Sequence, residues 1–255
     1  MAVLQQAPET FGINATRWCL THLRKALPWL STYSLPGIWL ALGRLGLGRK
    51  RGRLSVHSPD RQYQEKLCRI QQVRQVAHRY PQRVVMVYGD EFSLYRQPTL
   101  GPVYALKREE PRARLSWKAN TRQRISGALN PLTGQVTFTQ GYKMGVKGLQ
   151  GFLQELRSTY PNQILVLVWD NWTVHHHPRV LEEAQRLKIH LLWLPTYAPW
   201  TNPIEKLWRW VKGTLLHHHR KADRWEELKA QVAQFLGQFK QGSPELLRYV
   251  GLLPY

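Results

Sequence analysis

The 255-residue chain holds only two cysteines, Cys19 and Cys68, and only 16 acidic residues. Two thiols make neither a disulfide framework nor a four-thiolate zinc site. Apolar runs such as Ile164–Trp169 are far shorter than the roughly 20 residues needed to cross a bilayer. No charged-then-apolar leader opens the chain. The expectation is a cytoplasmic protein of a reducing compartment with no membrane partner. No repeat of fixed period stands out. Against these absences stand 37 Lys and Arg, 11 Trp and 11 Tyr, a net charge of +21 and a 43% hydrophobic content. A disordered basic tail is poor in aromatics, so this chain builds a core. Its field calls for a polyanion, most often nucleic acid. Charge alone fits binding nucleic acid and cutting it equally.

The charge is unevenly spread. Residues 1–83 carry 14 Lys and Arg against three acids, Glu9, Asp60 and Glu65. The densest stretch runs from Arg44 to Arg53, with Arg49, Lys50 and Arg51 between. Its interleaved glycines suit phosphate contact by side chains and backbone N–H groups; the bland alternative is a solubilising linker. Asn14–Leu27 has helical apolar spacing, with Asn14 or Thr16 as N-cap. A second helix is expected over Leu35–Leu45, capped by Ser34, with Pro36 in its first turn and Ile38, Leu42 and Leu45 on one face. Gly46 and Gly48 would end it. Two short helices and a basic arm fit a helix-turn-helix segment over 1–58. Arg61–Arg79 reads as a polar helix inside a linker, 59–82, that joins two domains or packs on one of them.

From 83 to 255 the pattern is mixed. Strands are expected at Val84–Tyr88, Phe92–Tyr95, Ile125–Leu129, Val136–Tyr142, Ile164–Trp169 and His190–Leu194. Helices are expected at Gly148–Tyr160, Pro178–Leu187 and Asn202–Leu216. Pro98–Asn120 reads as an extended excursion. Hairpins first, then strands alternating with helices, imply an α/β fold with a mixed sheet.

The scarce acids fall at telling places. Asp90 and Asp170 each follow a strand, and ligands gather at the carboxyl ends of strands in open α/β sheets. Glu205 opens a helix. Each has a bland reading: a turn residue for Asp90, an Asx-turn for Asp170, and for Glu205 the third position of a helix with Asn202 as N-cap and Pro203 first. Converging, the three carboxylates would repel unless a cation neutralised them, and oxygen-only ligation suits Mg²⁺ or Mn²⁺. Two such ions clamp an in-line phosphoryl displacement. The runs His175-His176-His177 and His217-His218-His219 do not read as zinc sites, because adjacent histidines point apart and no cysteine lies near them in sequence. Trp208 and Trp210 read as packing, with base stacking as the alternative.

The words VVMVYGDE (Val84–Glu91), LVLVWDNWTVH (Leu165–His175) and LPTYAPWTNPIEKLWRWVK (Leu194–Lys212) resemble the mariner-type superfamily of DDE transposases, especially its bacterial insertion-sequence branch. The resemblance covers residues 84–255. It implies a ribonuclease-H-like catalytic core in which Asp90, Asp170 and Glu205 bind two divalent ions. Glu91, Asn171, His175, Tyr197 and Asn202 are then supporting or substrate-positioning residues. It further implies double-stranded DNA as partner, recognition of terminal inverted repeats, cut-and-paste strand transfer at a TA dinucleotide, and a homodimer on DNA. Family members carry two helix-turn-helix units, and about 55 residues here make room for one. The alternatives are a non-catalytic or truncated DNA-binding derivative, and another metal nuclease on the same core.

Overall fold

The computed structural model describes residues 2–50 and 57–254. The chain divides into two compact units, Met1–Val56 and His57–Tyr255.

The first unit is helical. Helix α1 spans Leu20–Ala26 and helix α2 spans Leu35–Arg44, joined through a short turn of helix at Pro28–Leu30. α2 begins as its sequence demands. Ser34 accepts from the Gly37 N–H, and proline occupies the first turn. α1 is shorter than its apolar spacing predicts. Trp18 donates its indole N–H to the Gln6 carbonyl at 2.8 Å and packs edge-on against Phe11. That contact draws 14–19 out of the helix, so neither Asn14 nor Thr16 caps it. Leu23, Leu30 and Ile38 form the small core, with Leu42 packed against it. Leu45, expected on the same face, is 66% exposed.

The second unit is a five-stranded sheet in the order β3-β2-β1-β4-β5. The strands are β1 (Val84–Tyr95), β2 (Arg122–Leu129), β3 (Val136–Gly141), β4 (Ile164–Trp169) and β5 (Ile189–Trp193). β1, β2 and β3 pair antiparallel, while β4 and β5 run parallel to β1. The mixed sheet expected from the sequence is therefore present. The β2–β3 turn follows its residues. Asn130 accepts from the Leu132 and Thr133 N–H groups, and Gly134 adopts φ +73°.

β1 departs from the sequence reading. Two strands were expected with Gly89-Asp90-Glu91 as the break. One 12-residue strand forms instead, with Asp90 inside it. The pairing explains this. Val84–Tyr88 pair with β4, and Tyr88–Tyr95 pair with β2. β2 carries the strand on past the end of β4, so Asp90 is the second residue beyond the β4 ladder. Gly89 fits because a Cβ there would meet Leu167 Cδ1 at 2.8 Å.

Helices cover both faces. On one, α4 (Val146–Thr159) and α5 (Pro178–Arg186) bury Leu149, Phe152, Leu153, Leu156 and Val180 against Val85, Val87, Leu165 and Leu167. On the other, α6 (Ile204–Val211), α7 (Trp225–Gly237) and α8 (Pro244–Val250) pack on Phe92, Leu94, Ile125 and Leu129. α3 (Tyr63–Arg79), expected as a linker or a packed helix, lays Ile70 and Ala77 on Met86, Tyr88, Val166 and Val168. Fully burying each such aliphatic side chain is worth about 1.5–3 kcal/mol. The helix expected over Asn202–Leu216 is α6 followed by a wider π-type turn at Lys212–Leu216.

Candidate active site

Asp90 and Asp170 are brought together by the parallel β1–β4 ladder. It ends at the pair Tyr88 and Val168, so each acid lies two residues beyond it. Glu205 comes from the first turn of α6. All three are half-buried. Burial, then the charges of Glu205, Glu91 and Asp170, hold the Asp90 carboxyl well above the usual carboxylate range. Burial and the Asp170 charge push Glu205 up as well. Arg209 and Lys212 offset part of the rise at Glu205.

Asp170 behaves differently. Burial would raise it, but His175 outweighs burial and holds it down. His175 is fully buried, with Nδ1 2.8 Å from Asp170 Oδ1 and Nε2 3.0 Å from a Glu91 carboxylate oxygen. Burial opposes its charge, yet these two carboxylates hold its pKa at about 9. The ring stacks on Trp169, centroids 3.7 Å apart. Glu91 also accepts from Ser126 Oγ at 3.3 Å. Glu91, Asp170 and His175 are the one group of potential ligands that closes within 4.8 Å among the described residues. In this structure the three contact one another directly, and an imidazolium at about 9 supplies the positive charge between the two carboxylates. Because neighbours alternate across a strand, Glu91 and Asp90 serve opposite faces of β1.

The loop between β5 and α6 is tied on three sides. Asn202 is buried and donates from Nδ2 to the Gly89 carbonyl at 3.0 Å, while its Oδ1 has no partner. It was expected to cap α6; no side chain caps that helix. The Gly89 carbonyl, adjacent to Asp90, takes the amide instead. Asn171 donates to the Leu194 carbonyl at 2.6 Å. The Trp172 N–H donates to Asp170 Oδ1 at 3.1 Å, so Asp170 also makes the Asx-turn. Tyr197 adopts φ +52° with its ring 74% exposed.

Several contacts at the site were not expected from the sequence. Asp60 accepts from the Thr196 N–H at 2.9 Å and pairs with Lys66 at 2.8 Å. Ser58 Oγ donates to the Thr196 carbonyl at 2.5 Å. The start of the second unit thus holds the loop that leads to Glu205. An Asp directly before the expected helix Arg61–Arg79 is a visible capping signal; its reach to position 196 is not. Trp208 donates its indole N–H to Asp90 at 2.9 Å.

Residues 85–229 match the family of DDE superfamily endonucleases. The chain belongs to that family. The DDE endonuclease is 23% identical over 243 residues to an insertion element IS630 uncharacterized 39 kDa protein of Shigella sonnei, 92% of this chain and 68% of that one. Its fold matches the Mos1 mariner paired end complex with Mn, at TM-score 0.65 and 17% identity over 100% of this chain and 75% of that one. It also matches the Mos1 transposase paired-end complex with the left transposon end, at 0.62 and 16% over 91% and 70%. The family expected from the sequence words is the one these comparisons return. The ribonuclease-H-like, mixed-sheet core expected of a DDE endonuclease is present. A cleft of about 570 Å³ beside Arg112, Arg114 and Arg220 is lined by none of the three carboxylates. Among the described residues no helix is long and apolar enough to cross a membrane.

Proposed function

We propose that this DDE endonuclease is a transposase, which cuts double-stranded DNA at the terminal inverted repeats of its element and joins the freed ends to target DNA at TA. The observation that carries the reading is the placing of Asp90 and Asp170 beyond neighbouring strand ends beside Glu205, where Glu205 and Asp170 raise Asp90 and Asp170 raises Glu205. Such a cluster has a use in a protein of charge +21 when it gathers cations against a phosphate.

The donor set fits Mg²⁺ or Mn²⁺. It is made of carboxylate oxygens, Asp90 and Glu205 are both raised by acidic neighbours, and the buried Asn202, bonded to the Gly89 carbonyl next to Asp90, leaves its Oδ1 without a partner. Asp90, Asp170 and Glu205 would hold two ions. Bound there, the ions supply Lewis-acid activation and charge neutralisation at the scissile phosphate. The chain's own groups do the rest. His175, held by Glu91, fixes the Asp170 carboxylate in one orientation and keeps it ionised. Asn202 ties the loop before Glu205 to the backbone next to Asp90. Asn171 holds that loop at its other end. Tyr197, exposed on the loop, is placed to contact DNA.

Residues 1–58 supply end binding in this reading. Arg44, Arg49 and Lys50 are exposed; Arg51 and Arg53, expected to act with them, lie outside the described residues. Pairing two ends calls for a homodimer on DNA.

The test is a cleavage assay on linear duplex, with and without the element's own ends, in Mg²⁺ or Mn²⁺. Wild type should nick the duplex that carries those ends. Asp170→Asn should nearly abolish nicking while DNA retention stays the same or tightens. Wild-type cutting by that variant, or absence of metal-dependent cutting by the wild type, overturns the reading.

A further inference from the structure

Trp208 shares the apolar face of α6 with Ile204, Leu207 and Val211, and any large apolar side chain would satisfy that spacing. What distinguishes it is its polar edge. The indole Nε1–H donates to Asp90 Oδ2 at 2.9 Å. The ring is held so that this edge cannot swing. Phe92, two residues along β1 from Asp90, stacks on it with centroids 5.3 Å apart and planes 18° apart. Gly127, opposite Asp90 in the β1–β2 register, leaves the space the ring occupies. A Cβ on Gly127 would meet Trp208 Cη2 at 2.6 Å and Cζ2 at 3.0 Å.

We propose that Trp208 is a positioning residue for Asp90, which it holds in one orientation and at a set distance from Glu205. Trp208 follows Glu205 by three positions, so the two lie on neighbouring parts of one helical face. One turn of α6 therefore carries one carboxylate of the trio and the donor that orients another. Their separation depends on helix geometry and one hydrogen bond. An indole N–H only donates. It therefore fixes which Asp90 oxygen faces the helix and which stays free. The proposal rests on the reading of Asp90 as a cation ligand.

The experiment uses the full chain and Mn²⁺ alone, with free ion measured by electron paramagnetic resonance. Trp208→Phe keeps an aromatic ring for Phe92 and removes the N–H. It should weaken Mn²⁺ binding about tenfold, the lower end of what loss of a ligand's supporting partner costs. Asp90→Asn should weaken it at least as much, and the double variant should be no weaker than Asp90→Asn alone. Lowered thermal stability with unchanged Mn²⁺ affinity in Trp208→Phe overturns the proposal and leaves Asp90 as a ligand. Wild type binding Mn²⁺ no tighter than Asp90→Asn sinks both. A second measurement needs no Trp208 variant. With ¹⁵N-labelled tryptophan, one indole cross-peak should broaden first on Mn²⁺ addition and move in Asp90→Asn. If no indole peak moves, the hydrogen bond is absent in solution and the proposal fails.

Discussion

Glu91 on β1 and His175 after β4 form an ion pair 3.0 Å long, with the imidazole fully buried and the carboxylate side chain 5% exposed. The pair stands one residue from Asp90 along the strand and one contact from Asp170, yet on the opposite face of β1 from Asp90. It supports the carboxylate trio from behind.

Removing one partner of such a pair leaves a buried charge uncompensated. Glu91→Gln keeps the shape and removes the charge. It should destabilise the fold by about 3 kcal/mol. The urea midpoint should fall while the slope stays constant, and cleavage should fall with it. An unchanged midpoint would mean that Asp170 alone satisfies His175.

Asp60 stands far from Thr196 in sequence and accepts from its N–H, from the Gln62 N–H and from Lys66. Lys66 is foremost among the groups that hold its carboxyl far below the usual range, followed by the Thr196 and Gln62 N–H groups. Asp60→Ala should lower stability, because it removes the acceptor of the Thr196 and Gln62 N–H groups. The more specific sign is local. Amide exchange at Thr196 and along 195–202 should accelerate more than in the sheet, and cleavage should fall while DNA retention holds. Uniform acceleration across the domain would mean that Asp60 does not act on this loop in particular.

Glu183 carries an acid-dependent contribution that can be separated. Arg186 first, then Gln154, lower its pKa from 4.5 to about 2. A carboxylate lowered in the folded state adds stability above its unfolded value, and that contribution is lost as pH falls through the folded one. Its window is therefore pH 4.5 down to about 2. Because the Arg186 side chain is 61% exposed, screening limits the effect to about 1 kcal/mol. Glu183→Gln should be less stable than wild type at pH 6, and the difference should close across that window. A constant difference at all pH values would trace the effect to packing.

The amino-acid sequence by itself determined the strand β4, the hairpin turn at Asn130–Gly134, the capped start of α2 and the three words that carry Asp90, Asp170 and Glu205. These are local matters. An uninterrupted apolar run, a turn-forming Asn and Gly, and a Ser before a helix each act within a few residues. Tertiary structure decided where those words meet. Gly89-Asp90-Glu91 reads as a break, yet β2 continues the ladder and makes it the middle of a strand. Asn202 reads as a cap, yet the Gly89 carbonyl from another strand claims its amide. Trp208 reads as packing, yet its one polar atom meets Asp90, more than a hundred positions away in the chain. Hydrogen bonds of that kind depend on partners that only the folded sheet brings within reach. The chemistry was therefore legible in residue types, and its geometry was not.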